Sequence, residues 1–478
     1  MTQALPSIRE DFAEWYNDIV YRADLAALSP VRGCPIIKPY GFEIWDGIKN
    51  ALDKRFKATG HQNAYFPLFI PESYLKREAQ HVEGFSPELA IVTIGGGKVL
   101  EEPLVIRPTS ETIIGEAFSN WIQSYRDLPL LLNQWANVVR WEMRTRPFLR
   151  TAEFMWQEGH TAHATEEEAE AETLQMLDVY ADVAINEAAI PVIKGQKSDR
   201  ERFAGALRTY TIEGMMGDKK ALQCGTSHNL GQNFAKAFNI TYLDRANTLQ
   251  YCWTTSWGMS TRMVGAVVMT HGDDKGLRLP PRLAPIQVVI VPIFKNDDEK
   301  SAVMETVTRL HKELAANDIR VKIDTREDSP GFKFNDWEMR GVPVRLELGP
   351  RDVQGGVVVA ARRDIPGKEG KRTLQQENIA ASVRALLDEV QANLLKQATD
   401  FRDANIIDVK NYDEFKQVIE TGGFARVWWS GSDDEEVRIK NEVQATHRCY
   451  PLEQPNEKGI DFLTGQPASR IALFGKAY

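Results

Sequence analysis

The stretch RWEMRTRPFLRTAEF, residues 140–154, places four arginines within fifteen positions. Its flanks, NVVRWEM (137–143) and EFMWQEGHTAHA (153–164), read as strands on either side of a polar loop. Strand side chains alternate between faces. Arg140 and Glu142 are therefore expected on one face and Val139 and Trp141 on the other, while Phe154, Trp156, Glu158 and His160 share a face on the return. The loop between carries Arg144, Arg146 and Arg150. Guanidinium groups and an aromatic plate on a rigid antiparallel pair suit a phosphate-bearing ligand with a π face, such as a nucleotide. A surface hairpin laced with salt bridges has the same composition, and this segment alone leaves both readings open.

On the amino-terminal side, Ile44, Trp45, Ile48, Leu52 and Phe56 recur at helical spacing, with Gly60 placed to end the helix. AYFPLFIP follows, and Pro67 inside it predicts an edge or irregular strand. On the carboxyl-terminal side, Thr165 and Glu168 form a T-x-x-E capping box. The acidic run Glu166 to Glu172 is then the first turns of a solvated helix, where negative charge suits the dipole. Near LRLPPRLAPIQVVIVPI, Pro280, Pro281 and Pro285 cannot continue a helix, and Val288 to Val291 reads as a buried strand opening a new unit. Val303, Val307, Leu310 and Leu314 line a helix face there. Strands are expected near RVKID, PVRLEL and GVVVAAR, and helices near FKFNDWEMR and from Ile379 to Leu395. That is the rhythm of a compact α/β domain.

The chain has 478 residues, room for roughly three domains. Its 43% hydrophobic and 26% charged content is that of a globular protein. The net charge of −9 excludes a polycationic binder but not a local basic surface for RNA. No apolar run reaches the ~20 residues of a membrane helix, and MTQALPSIREDF has no basic, then greasy, leader pattern. Cys34, Cys224, Cys252 and Cys449 form no CxxC pair. A cytoplasmic, multi-domain protein without a membrane segment is expected.

Three further segments bear on chemistry. RPTSE (107–111) sets Thr109 two residues from Glu111. QCGTSH (223–228) gathers an amide, hydroxyls and an imidazole, and SWGMSTRMVGAVVMTHGD places Arg262 at the start of an apolar helix with Gly265 allowing close packing. Each has an ordinary structural role available: turn or cap hydroxyls for Thr109 and Ser110, a satisfied histidine for His228, a snorkelling cation for Arg262.

Taken in order, these segments resemble the class II aminoacyl-tRNA synthetases, and within them the prolyl-tRNA synthetases of archaeal/eukaryotic type, from about Asp11 to Tyr478. RPTSE, the 140–164 block, QCGTSH, TSWGMSTR and the HGDD…PPRLAPIQ passage are similar to that family's signatures. The resemblance implies an α+β fold: an antiparallel-sheet catalytic core (1–283), an α/β anticodon-binding domain (284–395) and a small C-terminal domain (396–478). It implies a two-step ligase that makes prolyl-adenylate from proline and ATP, then charges tRNA(Pro), as a homodimer built through motif 1, the helix bearing Ile44 to Phe56 together with AYFPLFIP and its Pro67. By the same resemblance Arg140 binds the α-phosphate, Arg262 stacks on adenine opposite Phe154, and Arg150 reaches the γ-phosphate. Glu142, Thr151, Gln223, Thr226 and Ser260 complete an ATP site that works with magnesium. Thr109 and Glu111 would take the proline amine, Trp156 the ring, Arg140 the substrate's charge, and His228 would close the pocket. Glu338, Arg345 and Arg351 are the candidates for reading the anticodon. ARRDIPGKEGKR is either a patch contacting the tRNA backbone or a solvated hairpin turn.

Some features depart from the family. Many relatives hold zinc through four cysteines in the C-terminal domain; here Ser430, Glu435, Asp461 and Thr464 stand in the corresponding places, so no protein zinc site is expected. A zinc ion on Cys224 and His228 would need a third ligand, and none is evident; Cys224 instead reads as a small residue lining the nucleotide site. About 70 residues separate the arginine block from QCGTSH, too few for an editing domain. A missing methylene is worth only ~1–3 kcal/mol, so clearing of Ala-tRNA(Pro) is expected to fall to a separate protein. Two rivals stand beside this reading: a class II enzyme for another amino acid, and a non-catalytic relative that binds tRNA.

Overall fold

The computed structural model describes residues 5–75 and 89–478; residues 1–4, part of the stretch read for a leader, lie outside them. The first half of the chain is organised by the segment quoted above. Strands Leu130–Val139 and Glu153–His163 pair antiparallel, Val139 against Glu153. The first strand ends at Val139, earlier than expected. Arg140 keeps one rung, its N–H donating to Ala152 O at 2.8 Å, and then the Glu142 N–H turns back onto Arg140 O at 2.6 Å. Arg140 and Glu142 thus sit on a tight turn, not in a strand.

Outward from this pair the sheet continues antiparallel through Trp253–Ser260, Ala221–Gly231, Arg208–Met215 and Ile193–Gln196. Gln62–Asn63 closes one edge in parallel. Pro67 lies beyond it, between Gln62–Asn63 and Phe69–Pro71, where its missing N–H costs no ladder bond. Helix Pro39–Ala58 buries Ile44, Trp45, Ile48, Leu52 and Phe56 under the sheet, and Gly60 follows it at φ +89, a conformation glycine adopts without strain. Helix Glu166–Asp182 is capped by Thr165, whose oxygen accepts the Glu168 N–H at 3.2 Å. Its acidic first turns are not wholly solvated as expected: Glu172 is buried against His61 at 2.8 Å, and Glu170 pairs with Arg208 at 3.0 Å.

After Pro285 a second sheet opens with Val288–Pro292, parallel to Val321–Ile323 and Val344–Leu348, then continues antiparallel through Val357–Arg362 and Lys371–Gln375. Helix Asp297–Ala316 lays Val303, Val307, Leu310 and Leu314 on it, all fully buried. Helix Ile379–Ala404 is longer than its apolar stripe suggested and runs straight across residue 395. The last segment does not stand apart. Thr446–Pro451 pairs with Ile193–Gln196, so its strands extend the first sheet, which reaches eleven strands among the described residues.

Within that segment the residues aligned with zinc ligands have other work. Glu435 caps helix Asp433–Val443 by accepting from Ser432 N at 2.6 Å. Asp461, 1% exposed, accepts from Ser430 N at 2.6 Å and Ser430 Oγ at 3.1 Å, and from Leu463 N and Thr464 N at 2.9 Å each. One carboxylate joins two loops. Asp461→Ala leaves these donors unmatched and is expected to cost about 1–3 kcal/mol, whereas a zinc chelator leaves the unfolding midpoint in place. A midpoint that falls with chelator would reverse this account.

Candidate active site

The cleft forms where the arginine turn meets the faces of four antiparallel strands. Its main cavity, ≈ 270 Å³, is lined by Thr109, Glu111, Arg140, Phe154, Trp156, Gln223, Thr226, His228, Ser260 and Arg262. A second lobe of ≈ 260 Å³ takes Arg140, Glu142, Arg150, Thr151, Phe154, Ser260 and Arg262. The ten residues expected around the first and the additional three around the second are therefore brought together from segments as far apart as Thr109 and Arg262. Arg140, Phe154, Ser260 and Arg262 line both lobes.

Arg140 is braced by Pro108 O, which accepts from its Nε at 3.0 Å, and lies 5.5 Å from the centroids of both Phe154 and Trp156. The two rings meet edge-on at 5.9 Å and 89°. Arg262 opens helix Arg262–His271, but it does not snorkel outward: its Nε donates to Leu149 O at 3.2 Å and its Nη1 to Gln223 O at 3.4 Å. Burial, then Arg140 and Arg150, pull its guanidinium down to about 10. It stays charged at neutral pH, in a lobe with excess positive charge that an anion would relieve. Gly265 is required by packing, since a Cβ there would meet Leu149 at 2.5 Å.

At the opposite end the chemistry reverses. Thr109 donates to the Glu111 carboxylate. Ser110 Oγ and Gln134 Nε2 donate to Glu158 Oε1 at 2.5 and 2.8 Å, and His160 Nε2 meets Glu158 Oε2 at 3.0 Å. Burial alone would lower His160; the bond to Glu158 and the field of Glu111 outweigh it and raise the imidazole above its ordinary value. Thr109 and Ser110 are thus more than turn residues. His228 Nδ1 faces Thr209 Oγ1 at 3.0 Å and its ring stacks on Phe203 at 4.6 Å. Trp156 Nε1 and Ser256 Oγ are buried with no hydrogen-bond partner among the described residues.

Glu158, His160, Thr209, Ser256, Glu201 and Phe203 also line this cavity and carried no assigned role in the sequence. Glu158 and His160 were findable, because they share the strand face of Phe154 and Trp156. Glu201 and Phe203 come from an irregular segment with no periodicity to betray them. Cys224 lies on the wall as a neutral thiol pushed up to about 12 by burial, neither nucleophile nor ready metal ligand.

A separate cavity of ≈ 250 Å³ is lined by Lys275, Trp337, Glu338, Arg345, Lys368 and Lys371. Arg345 sits 4.0 Å over Phe334 and donates to Glu338 at 3.3 Å. Arg351 is exposed and does not line it. The ARRDIPGKEGKR patch is only partly a surface. Arg362 and Arg363 are 7% exposed, paired with Asp364 at 2.6 Å and Asp273 at 2.5 Å.

An antiparallel sheet bearing an arginine turn, an aromatic plate and a second arginine on a following helix is the core of a class II aminoacyl-tRNA synthetase. Residues 98–271 match the tRNA synthetase class II core domain (G, H, P, S and T), 287–393 an anticodon binding domain, and 412–478 the prolyl-tRNA synthetase C-terminal domain. The chain is 58% identical over 472 residues to a proline–tRNA ligase of Roseiflexus sp. (strain RS-1), and 59% identical over 471 to that of Chloroflexus aggregans, each match covering 98% of both chains. It is 56% identical to a chloroplastic/mitochondrial proline–tRNA ligase of Arabidopsis thaliana, covering 98% of this chain and 87% of that one. The chain belongs to the proline–tRNA ligase family.

Proposed function

We propose that the cleft joins L-proline to ATP at Arg140 and then passes the prolyl group to tRNA(Pro). The observation that carries this is the position of Arg140, which lines both the carboxylate-rich cavity and the cationic lobe. A carboxylate of proline, held by its amine against Glu111 and Thr109 with its ring on Trp156, attacks the α-phosphorus from the first cavity. The new O–P bond forms as the bond to pyrophosphate breaks. Arg140 neutralises charge building on the α-phosphate between them, Arg262 and Phe154 sandwich adenine, and Arg150 meets the γ-phosphate. Gln223, Thr226, Ser260, Thr151 and Glu142 hold the rest of the nucleotide. The 3′-terminal ribose hydroxyl then attacks the carbonyl, and AMP leaves.

Magnesium fits this lobe as an ion carried mainly by phosphate oxygens and water. Glu142 is the carboxylate on the wall, and no cluster of three or more His, Cys, Asp or Glu among the described residues offers a cage. Bound there, the ion would neutralise the departing pyrophosphate.

Proline-dependent ATP–pyrophosphate exchange, with alanine, cysteine and threonine in parallel, tests the reading; a folded protein silent with all four would sink it. Glu111→Gln removes the charge facing the amine and is expected to lower kcat/KM for proline by ~10–100-fold, the worth of a charged hydrogen bond, with the KM for ATP unmoved. Unchanged proline kinetics would take Glu111 out of the site.

The division at 283 and 395 belongs to the same proposal, supported by the three matched regions. Glu338 and Arg345, in the second cavity, are proposed to read anticodon base edges. A homodimer is supported by exposed apolar residues along the motif 1 side, Tyr65 at 75%, Phe69 at 44% and Trp121 at 52%, and sedimentation reads it directly. Residues 164–220 form a helix and strands of the core itself, which supports the absence of editing in cis and a role for a separate editing protein; deacylation of Ala-tRNA(Pro) by this chain would contradict it. No helix among the described residues is long and apolar enough to cross a membrane. Four free cysteines support placement in the reducing cytoplasm.

A further inference from the structure

We propose that Ser198 and Glu436 are positioning residues for the amino-acid pocket, through which the 396–478 segment holds one wall of the catalytic cleft. The proposal rests on the reading of the main cavity as the proline site. Between strands Ile193–Gln196 and Arg208–Met215 the chain forms no helix or strand, yet it lays Glu201 and Phe203 on the cavity. Phe203 is held by its N–H on Thr209 Oγ1 at 2.9 Å, the same hydroxyl that meets His228. Ring placement here therefore sets the shape that the substrate ring meets.

The root of this wall is fixed from far away in sequence. Ser198 Oγ donates to Glu436 Oε2 at 2.9 Å, a contact across 238 positions, and the two residues are 5% and 6% exposed. Glu436 lies on helix Asp433–Val443. The preceding residue, Lys197, donates to Glu213 at 2.9 Å, and Glu213 also accepts from Arg448 at 2.8 Å. Two consecutive residues at the start of the wall are thus tied, one directly and one through Glu213, to the C-terminal segment. Glu436 also feels the pocket electrostatically: burial, and then the charge of Glu201, push its carboxyl up to about 7. The far end of the wall is held by the core instead, with Asn233 Nδ2 donating to Gly205 O at 2.9 Å and the Leu207 N–H to Asn229 O at 2.8 Å, so the Ser198–Glu436 pair acts on its near end.

The physical consequence is specificity. Proline exceeds alanine by apolar ring atoms, and such differences discriminate only through close contact with a well-placed wall. Releasing the root lets Phe203 retreat and weakens proline binding without touching the nucleotide lobe.

The test uses the full-length protein in pyrophosphate exchange. Ser198→Ala and Glu436→Ala are each expected to raise the KM for proline about tenfold, the scale of one lost hydrogen bond. The KM for ATP stays in place, the unfolding midpoint falls only by the scale of one buried hydrogen bond, and the preference for proline over alanine narrows. Glu436→Gln, whose amide oxygen still accepts from Ser198, restores the wild-type KM. An unchanged proline KM in both alanine variants, an equal rise in both KM values, or failure of the glutamine to restore would each overturn the inference. Failure of the pocket assignment is told apart by Glu111→Gln. If that change leaves proline kinetics intact, the assignment falls; if it raises the KM while Ser198→Ala and Glu436→Ala do not, only the positioning role falls.

Discussion

Arg140→Ala is expected to lower the rate of proline-dependent pyrophosphate exchange by ~10²–10³-fold, as loss of a preorganised donor to a developing anion does elsewhere. The side chain is fixed before substrate arrives, by its Nε bond to Pro108 O at 3.0 Å and by two flanking rings at 5.5 Å. No reorganisation is then needed as charge builds, which is why the loss should appear mainly in kcat. Arg262 and Arg150 remain to hold ATP, so its KM moves little. Arg140→Lys is expected to recover only a small part, because a point ammonium cannot keep the Pro108 bond and the flat contact with Phe154 and Trp156 together. Steady-state exchange with ATP and proline each varied in turn makes the measurement. A loss confined to the KM for proline would move Arg140 from the reacting phosphate to the amino-acid subsite.

Glu213→Gln is expected to destabilise the protein by ~3–5 kcal/mol, because it leaves two buried cations without their counter-charge. Glu213 is fully buried. It accepts from Lys197 Nζ at 2.9 Å and Thr211 Oγ1 at 2.9 Å on one oxygen, and from Arg448 Nε and Nη2 at 3.0 and 2.8 Å on the other. Burial would raise this carboxyl; Arg448 and Lys197 overcome it and hold the group at about 2, against an ordinary value of 4.5. Between those two values the unfolded chain binds the extra proton. The stabilisation, about 3 kcal/mol from the shift, is therefore complete above pH 4.5 and is lost as pH falls toward 2. Denaturant unfolding of wild type and variant at pH 7 and at pH 3 should show a large gap that narrows at the lower pH. A gap independent of pH would mean that Glu213 acts through packing and not through charge. Replacing Lys197, Glu213 and Arg448 together by apolar residues should recover much of the stability lost, since the cost lies in the orphaned charges.

The arginine block was legible because its chemistry is local. Period-two alternation put Phe154, Trp156, Glu158 and His160 on one face, and they do line one cavity. Helical spacing gave the buried faces of Pro39–Ala58 and Asp297–Ala316 for the same reason. The strand reading failed at Arg140 because a single backbone bond, Glu142 N–H to Arg140 O, ends the ladder where the side-chain pattern runs on. The solvated reading of Glu172 failed because its partner, His61, lies 111 positions away.

The sequence by itself determined the class of chemistry: which cations, carboxylates and rings exist, and which of them stand on a common strand face. These depend on covalent order and a fixed backbone period. The tertiary structure alone decided that the C-terminal strands extend the catalytic sheet, and that Asp461 joins two loops. It also placed Glu201 and Phe203 on the pocket, with the root of their wall tied to Glu436. Those outcomes hang on contacts between separate segments, 31 positions apart for Ser430 and Asp461 and 238 for Ser198 and Glu436, in which each side chain is chosen by desolvation and by the partner that folding delivers, and no local period records that.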